Sequence, residues 1–203
     1  MRVWALGVAA LALAGCATMP GETSRNDPYE EFNRKMLSFN FAVDEAILAP
    51  ASEAYVAVTP QYGRDRVSDF FGNLREPVTF VNEVLQGEGE RALQTTARFS
   101  INSTLGLAGL FDITGFEGID RPTEDFGQTL AVWGVDSGPY LVLPLLGPSN
   151  PRDFIGGGVD RALDPTNYER YSGNDDDEIA FRVALGVLAG LNARAALQQQ
   201  FEQ

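Results

Sequence analysis

The sequence contains no histidine and a single cysteine, and its 203 residues hold 15 basic side chains against 28 acidic ones. Without histidine the chain lacks the commonest general base and metal ligand. One thiol cannot close an internal disulfide, so the fold must hold by packing alone. The net charge of −13 leaves no basic stripe to neutralise phosphates, which argues against nucleic acid as a partner. It argues equally against docking on an anionic bilayer by charge alone. Catalytic signatures are missing as well: there is no nucleophile elbow, no triad histidine and no zinc-binding His-Glu-x-x-His pattern. No catalytic residue, cofactor or metal ligand is therefore expected. Gly156-Gly157-Gly158 lacks the Lys-Ser/Thr of a phosphate loop and reads as a close helix approach or a flexible point.

What the chain does have begins at its N-terminus. Arg2 is followed by an apolar stretch, Val3 to Leu13, and then by Leu13-Ala14-Gly15-Cys16. A positive start, a short apolar region and small residues before the lone cysteine make a secretory signal of the lipoprotein type. The apolar stretch is too short to span a bilayer, which takes about 20 such residues. The expected organisation is a signal peptide over 1–15, a lipidated tether over 16–26 starting at Cys16, and one domain over 27–203. The length suits a single domain, and 44% hydrophobic residues suit a globular core. A lipoprotein signal implies a bacterial chain, so the glycosylation pattern Asn102-Ser103-Thr104 reads as coincidence.

Most of the domain reads as helix. Asp27-Pro28 with Glu30 resembles a capped start, and that helix is expected to run toward Ala49, before Pro50. Thr59-Pro60 repeats the signal, with Tyr62, Val67, Phe70, Phe71 and Leu74 as an apolar stripe. Pro77 is expected to open a further segment with Val78, Val81, Val84 and Leu85 inward, ended by Gly87. Helices are also expected over 88–104, 123–133, from Pro151 onward, and over 175–200. Asp175-Asp176-Asp177-Glu178 would be the acidic first turn of the last one. Tyr140 to Leu146 reads as a brief extended piece.

Two regions stand out. In the first helix Phe32, Met36, Phe39, Val43, Ala46 and Ile47 form one apolar stripe, and Leu37, Phe41 and Leu48 form a second. Asn33, Asn40 and Asp44 lie between them on one side. A surface helix of a soluble domain needs one apolar face. Two such faces mean full burial, or protein on one side and lipid on the other. Around residues 134–148, Gly134, Gly138, Pro139, Pro144, Gly147 and Pro148 surround Tyr140, Leu141, Val142 and Leu143. This is either a well-packed loop or an apolar lip, movable at Gly134 and Gly138, against which acyl chains slide.

In order along the chain, several stretches resemble one family. They are Asn26-Asp27-Pro28-Tyr29-Glu30 with Phe32-Asn33-Arg34 and Phe39-Asn40; Asn73-Leu74-Arg75-Glu76-Pro77 with Asn82 and Leu85-Gln86-Gly87; and Arg98-Phe99, Asn102 to Gly106 and Gly109 to Asp112. Glu124 to Leu130, Trp133-Gly134-Val135, Gly138 to Pro144 and Arg152-Asp153 follow. The chain resembles the MlaA lipoproteins, also called VacJ, of the lipid-asymmetry pathway. That resemblance implies a compact, mainly α, ring-like bundle of amphipathic helices with short extended segments, embedded in the periplasmic leaflet of the outer membrane. It implies a trimeric porin as neighbour, phospholipid taken from the outer leaflet, and a periplasmic lipid carrier as recipient. Phe32, Met36, Phe39, Asn40 and Phe41 are then expected on a membrane-facing or channel helix, with Gly134, Gly138, Tyr140, Leu141 and Leu143 at a channel lip. Arg64, Arg66, Arg98 or Arg152 would offset the acidity near lipid phosphates. The resemblance also implies a conserved segment after the last long helix, beyond Gln203. The rival reading is a lipoprotein that steadies a porin without moving lipid.

Overall fold

The computed structural model describes residues 27–164 and 175–202. In chain order they form α1 (Glu30–Val43), a π-helical segment (Asp44–Leu48), α2 (Ala49–Val58), α3 (Gln61–Gln86), α4 (Gly89–Thr104), α5 (Ile113–Phe116), α6 (Phe126–Val132), β1 (Leu141–Leu143), β2 (Gly147–Ser149), α7 (Pro151–Leu163) and α8 (Asp175–Glu202). The architecture is mainly α, as expected. Its one described sheet is an antiparallel hairpin pairing Leu141 with Ser149 and Leu143 with Gly147.

Several boundaries follow local chemistry. Gly87 ends α3 at φ +81°, a conformation that glycine adopts without penalty. Asp125 caps α6 by accepting the Gln128 N–H, and Asn150 caps α7 by accepting that of Asp153, ahead of Pro151. The last helix starts at Asp175, as expected.

Elsewhere the structure departs from the expected boundaries. Asp27 does not cap α1. It accepts the Tyr29 N–H and the Asn33 amide, and the helix begins at Glu30, which pairs with Arg34. The first helical run does not stop before Pro50. The Ala49 N–H reaches back five residues to the Asp44 carbonyl, and this π turn carries the chain past the proline into α2. Pro77 opens no new segment but lies inside α3. An interior proline costs about 3 kcal/mol. Packing against α4 outweighs that here, since Asn73, Glu76, Thr79 and Glu83 on both sides of it are buried.

The largest departure is in which side chains are buried. Among the described residues the buried hydrophobic ones are Val78, Ala92, Val142 and Ala195, against thirteen buried polar or charged ones. Val84 and Leu85, expected inward, are exposed, as are Tyr62, Phe80, Leu93 and Phe99. The interior is therefore polar, with much of the apolar surface outside. Contacts between α3 and α4 dominate the packing. The α6–α7 pair and α8 also dock on α3.

Candidate functional site

The first helix shows the inversion most plainly. Phe32, Phe39 and Phe41 are exposed, Phe41 by 66%, and Met36 is half-buried. The inward edge is instead the polar one. Asn33 is buried, donating to the Tyr140 carbonyl at 3.0 Å and accepting the Val142 N–H at 2.8 Å. Asn40 repeats this one step on, donating to the Leu143 carbonyl at 2.9 Å and accepting the Leu145 N–H at 2.8 Å. Asp44, the next residue along this edge, binds Arg194 of α8 through both carboxylate oxygens. The spacing has a geometric cause. Seven helical residues rise about 10.5 Å, and three extended residues span about 10 Å. The two amides therefore meet the hairpin in register. Both stripes read as apolar faces in the sequence are consequently left largely outside, with Met36 and Val43 half-buried.

The hairpin so held carries the residues expected at a lip. Tyr140, Leu145 and Leu146 are exposed, Leu141 and Leu143 are half-buried, and Val142 between them is buried. Gly134 follows α6 at φ +85°, and Gly138 has φ +72°. Both are left-handed positions where a side chain is strained. A Cβ on Gly138 would lie 3.2 Å from the Pro151 ring, whereas one on Gly134 would meet open space.

The interior is held by charge. Arg98 is fully buried, with Nε 3.2 Å from Glu76 Oε1 and Nη2 2.8 Å from Asp112 Oδ2, and it also donates to the Ile119 carbonyl. Arg121 joins the same two carboxylates. Asp112 further accepts from Asn102, Thr114 and the Gly115 N–H. Burial pushes its carboxyl up, but these donors, Arg98 foremost, outweigh it and hold the pKa at about 2. Burial wins at Glu76, whose carboxyl is raised despite Arg98 and Arg121. A second network joins α3 to the α6–α7 pair. Asn82 donates to Asp160 at 2.9 Å and accepts from Thr129 at 2.8 Å, and Asp160 accepts the Phe126 N–H. Beside it Glu83 is fully buried with neither carboxylate oxygen hydrogen-bonded, and Arg91 Nε is 3.8 Å away. Burial raises the Glu83 carboxyl more than Thr95 and Arg91 lower it.

The arginines expected near lipid phosphates are committed elsewhere. Arg98 sits in the buried network. Arg66 pairs with Asp69 at 2.9 Å and lies over the Tyr62 and Phe111 rings. Arg64 binds the Thr59 carbonyl and Gln61, and Arg152 binds Asp153. Sequence reasoning missed Asn33 and Asp44 as inward residues. Their seven- and four-residue spacing with Asn40 was the available signal.

A protein-family model described as MlaA lipoprotein matches residues 25–203. The chain belongs to this family. Its relatives include an uncharacterised protein of Rickettsia felis, 43% identical over 80% of this chain and 62% of its own length. The intermembrane phospholipid transport system lipoproteins MlaA of Shigella flexneri and Escherichia coli are each 39% identical. They match over 81% and 75% of this chain and over 67% and 63% of their own length. The chain thus spans somewhat under two thirds of the first relatives it matches. A solved structure described as the structural basis for maintenance of bacterial outer membrane lipid asymmetry superposes with a TM-score of 0.73 at 33% identity. It covers 87% of this chain and 86% of that one.

In MlaA-family terms the apolar exterior is the surface to weigh. Ile179–Gln199 of α8 is long and apolar enough to cross a membrane, with 11% of its apolar window buried. An open depression of about 380 Å³ lies at the start of α1, lined by Pro28, Tyr29, Glu31, Phe32 and Lys35. Leu13, Ala14, Gly15 and Cys16, the residue expected to carry lipid, lie outside the described residues.

Proposed function

We propose that this protein is an outer-membrane lipoprotein that takes mislocalised phospholipid from the outer leaflet and passes it to a periplasmic lipid carrier. The observation that carries this reading is the inverted burial. An apolar exterior around a hydrogen-bonded polar interior is the arrangement a protein needs when lipid tails are its outer solvent. Exposing Phe32, Phe39, Phe41, Ile47 and Val58 to water would cost about 25 cal/mol per Å² of apolar surface. Acyl chains remove that cost.

A phospholipid crossing such a protein needs a wet route for its head group and an apolar one for its tails. Each methylene left in water costs about 0.8 kcal/mol, so two long chains cannot pass through an aqueous hole alone. A ring of helices with its polar faces inward supplies the first route. The lip at Tyr140, Leu141 and Leu143, turning at Gly134 and Gly138, supplies the second. Lipid attached to Cys16 holds the protein at the bilayer, and more than one chain is required for stable anchoring. The order is signal peptide over 1–15, tether over 16–26 and one domain over 27–203, seated in the periplasmic leaflet beside a trimeric porin. No step needs covalent chemistry.

A deletion strain tests the reading. Loss of the protein should raise surface phospholipid and detergent sensitivity, restored by the wild-type gene and not by Cys16→Ser. Unchanged surface phospholipid in the deletion strain would leave only the porin-steadying role.

A further inference from the structure

We propose that Trp133 marks the level at which this protein meets the head groups of a bilayer, with zwitterionic phospholipid gathered around it; this deepens the transport reading above and rests on its membrane seating. Two remote segments meet at this residue. The Trp133 indole N–H donates to the Leu85 carbonyl at 3.0 Å, and its ring stands edge-on to Phe126. The indole is thereby fixed in place, although Trp133 is 53% exposed. Val84 flanks the bonded pair along one segment, and Val132 and Val135 along the other, all of them exposed.

Both segments change character beside that bond. Past Leu85 the chain turns at Gly87 and exposes Glu88 and Glu90; past Val135 it exposes Asp136. The bond between Trp133 and Leu85 sets these two transitions side by side, with apolar surface before it and carboxylates after it. An indole is a broad apolar ring with one polar tip. It collects where hydrocarbon gives way to head groups.

The backbone at this edge suits a medium poor in water. The Leu85 carbonyl is among the last four of α3, which lack partners inside a helix. The indole supplies one. After α6 the Gly134 and Val135 N–H groups donate to the Ala131 and Leu130 carbonyls. Left unpaired, such groups would be costly next to lipid tails.

Charge names the lipid. Two cations border these segments and both are taken. Arg91 pairs with Glu124 at 2.7 Å, and Arg152, which reaches the Val135 carbonyl, pairs with Asp153 at 3.0 Å. Among the described residues Glu88, Glu90 and Asp136 form no ion pair. The fringe next to Trp133 is therefore acidic, on a chain whose net charge is −13. It attracts the ammonium of phosphatidylethanolamine and repels the anionic head group of phosphatidylglycerol.

The chain has two tryptophans, Trp4 and Trp133, so the full-length Trp4→Phe protein reports on Trp133 alone. It is reconstituted into vesicles of phosphatidylethanolamine and phosphatidylglycerol, with seating checked by flotation. Lipids brominated near the head group should quench Trp133 fluorescence at least about twofold more than lipids brominated at the chain ends. Quenching strongest at the chain ends, or absent while aqueous iodide quenches fully, overturns the placement of Trp133 and leaves transport standing. Brominated phosphatidylethanolamine should quench about twofold more than an equal fraction of brominated phosphatidylglycerol. High salt should remove that difference, as should the combined Glu88→Gln, Glu90→Gln and Asp136→Asn changes. Equal quenching by the two lipid classes at low salt overturns the head-group assignment. A wild-type protein that floats with no vesicle overturns the membrane seating and with it both readings.

Discussion

Asn33 stands in for a strand beside Val142. Its side-chain amide accepts the Val142 N–H at 2.8 Å and donates to the Tyr140 carbonyl at 3.0 Å, the two groups that flank Leu141. One helical side chain thereby completes the ladder of β1 and pins the hairpin to α1.

Removing that amide should be costly. Asn33→Ala leaves the buried Val142 N–H without a partner, a loss of about 1–3 kcal/mol. Asn40→Ala should cost less, because Leu145 is exposed and water can replace the bond. Thermal unfolding of the two variants in the same detergent ranks them. An equal or reversed order would show that the hairpin is held by other contacts.

Arg98→Met should destabilise by about 3–5 kcal/mol, since it removes the buried cation and leaves Glu76 and Asp112 to share Arg121 alone. Arg98→Lys should recover little, because one ammonium cannot reach Glu76, Asp112 and the Ile119 carbonyl together. Full stability of the lysine variant would contradict this account.

The pH profile of stability should have a maximum at mildly acid pH. Glu76 and Glu83 have raised carboxyl pKa values, so the folded state takes up protons more readily than the unfolded one. Stability therefore rises as pH falls from neutral through the ordinary glutamate range. Asp112 acts in the opposite sense. Its pKa of about 2 lies below the usual 3.8. The roughly 2 kcal/mol it contributes is complete above about pH 4 and lost on approach to pH 2. Glu83→Gln should raise stability at neutral pH and flatten the acid-side rise. Stability that only declines on acidification, in unfolding midpoints taken across the range, would rule this out.

Gly156 and Gly157 make a matched pair. A Cβ on Gly156 would lie 2.3 Å from the Gly127 nitrogen, while one on Gly157 meets nothing within 4 Å. Gly156→Ala should lose about 1–3 kcal/mol by forcing α7 away from α6. Gly157→Ala should gain about 0.5–1 kcal/mol from helix propensity. Similar midpoints for the two would mean that α6 and α7 do not pack closely in solution.

Local chemistry was legible where its partners are near in sequence. Gly87 ends its helix, Pro151 opens one behind Asn150, and the 140–146 piece is extended over its first half, Leu141–Leu143, before it turns, each from the residue types alone. Pro50 and Pro77 misled because packing and a π turn overrode a local penalty of a few kcal/mol. At the candidate site Asn40 and the phenylalanines of α1 were singled out as unusual. The direction they face was not, because apolar periodicity reports how residues group on a helix and not which solvent lies outside.

Helical content and the family follow from the order of residues, since propensity, capping and short motifs act over a few positions. Which face turns inward was decided only by tertiary contacts. Asn33 needs the hairpin more than a hundred residues away, and Arg98 needs acids on α3 and ahead of α5. Buried polar groups must find partners wherever the chain can bring them. That demand turned the polar stripes in and left the phenylalanines out.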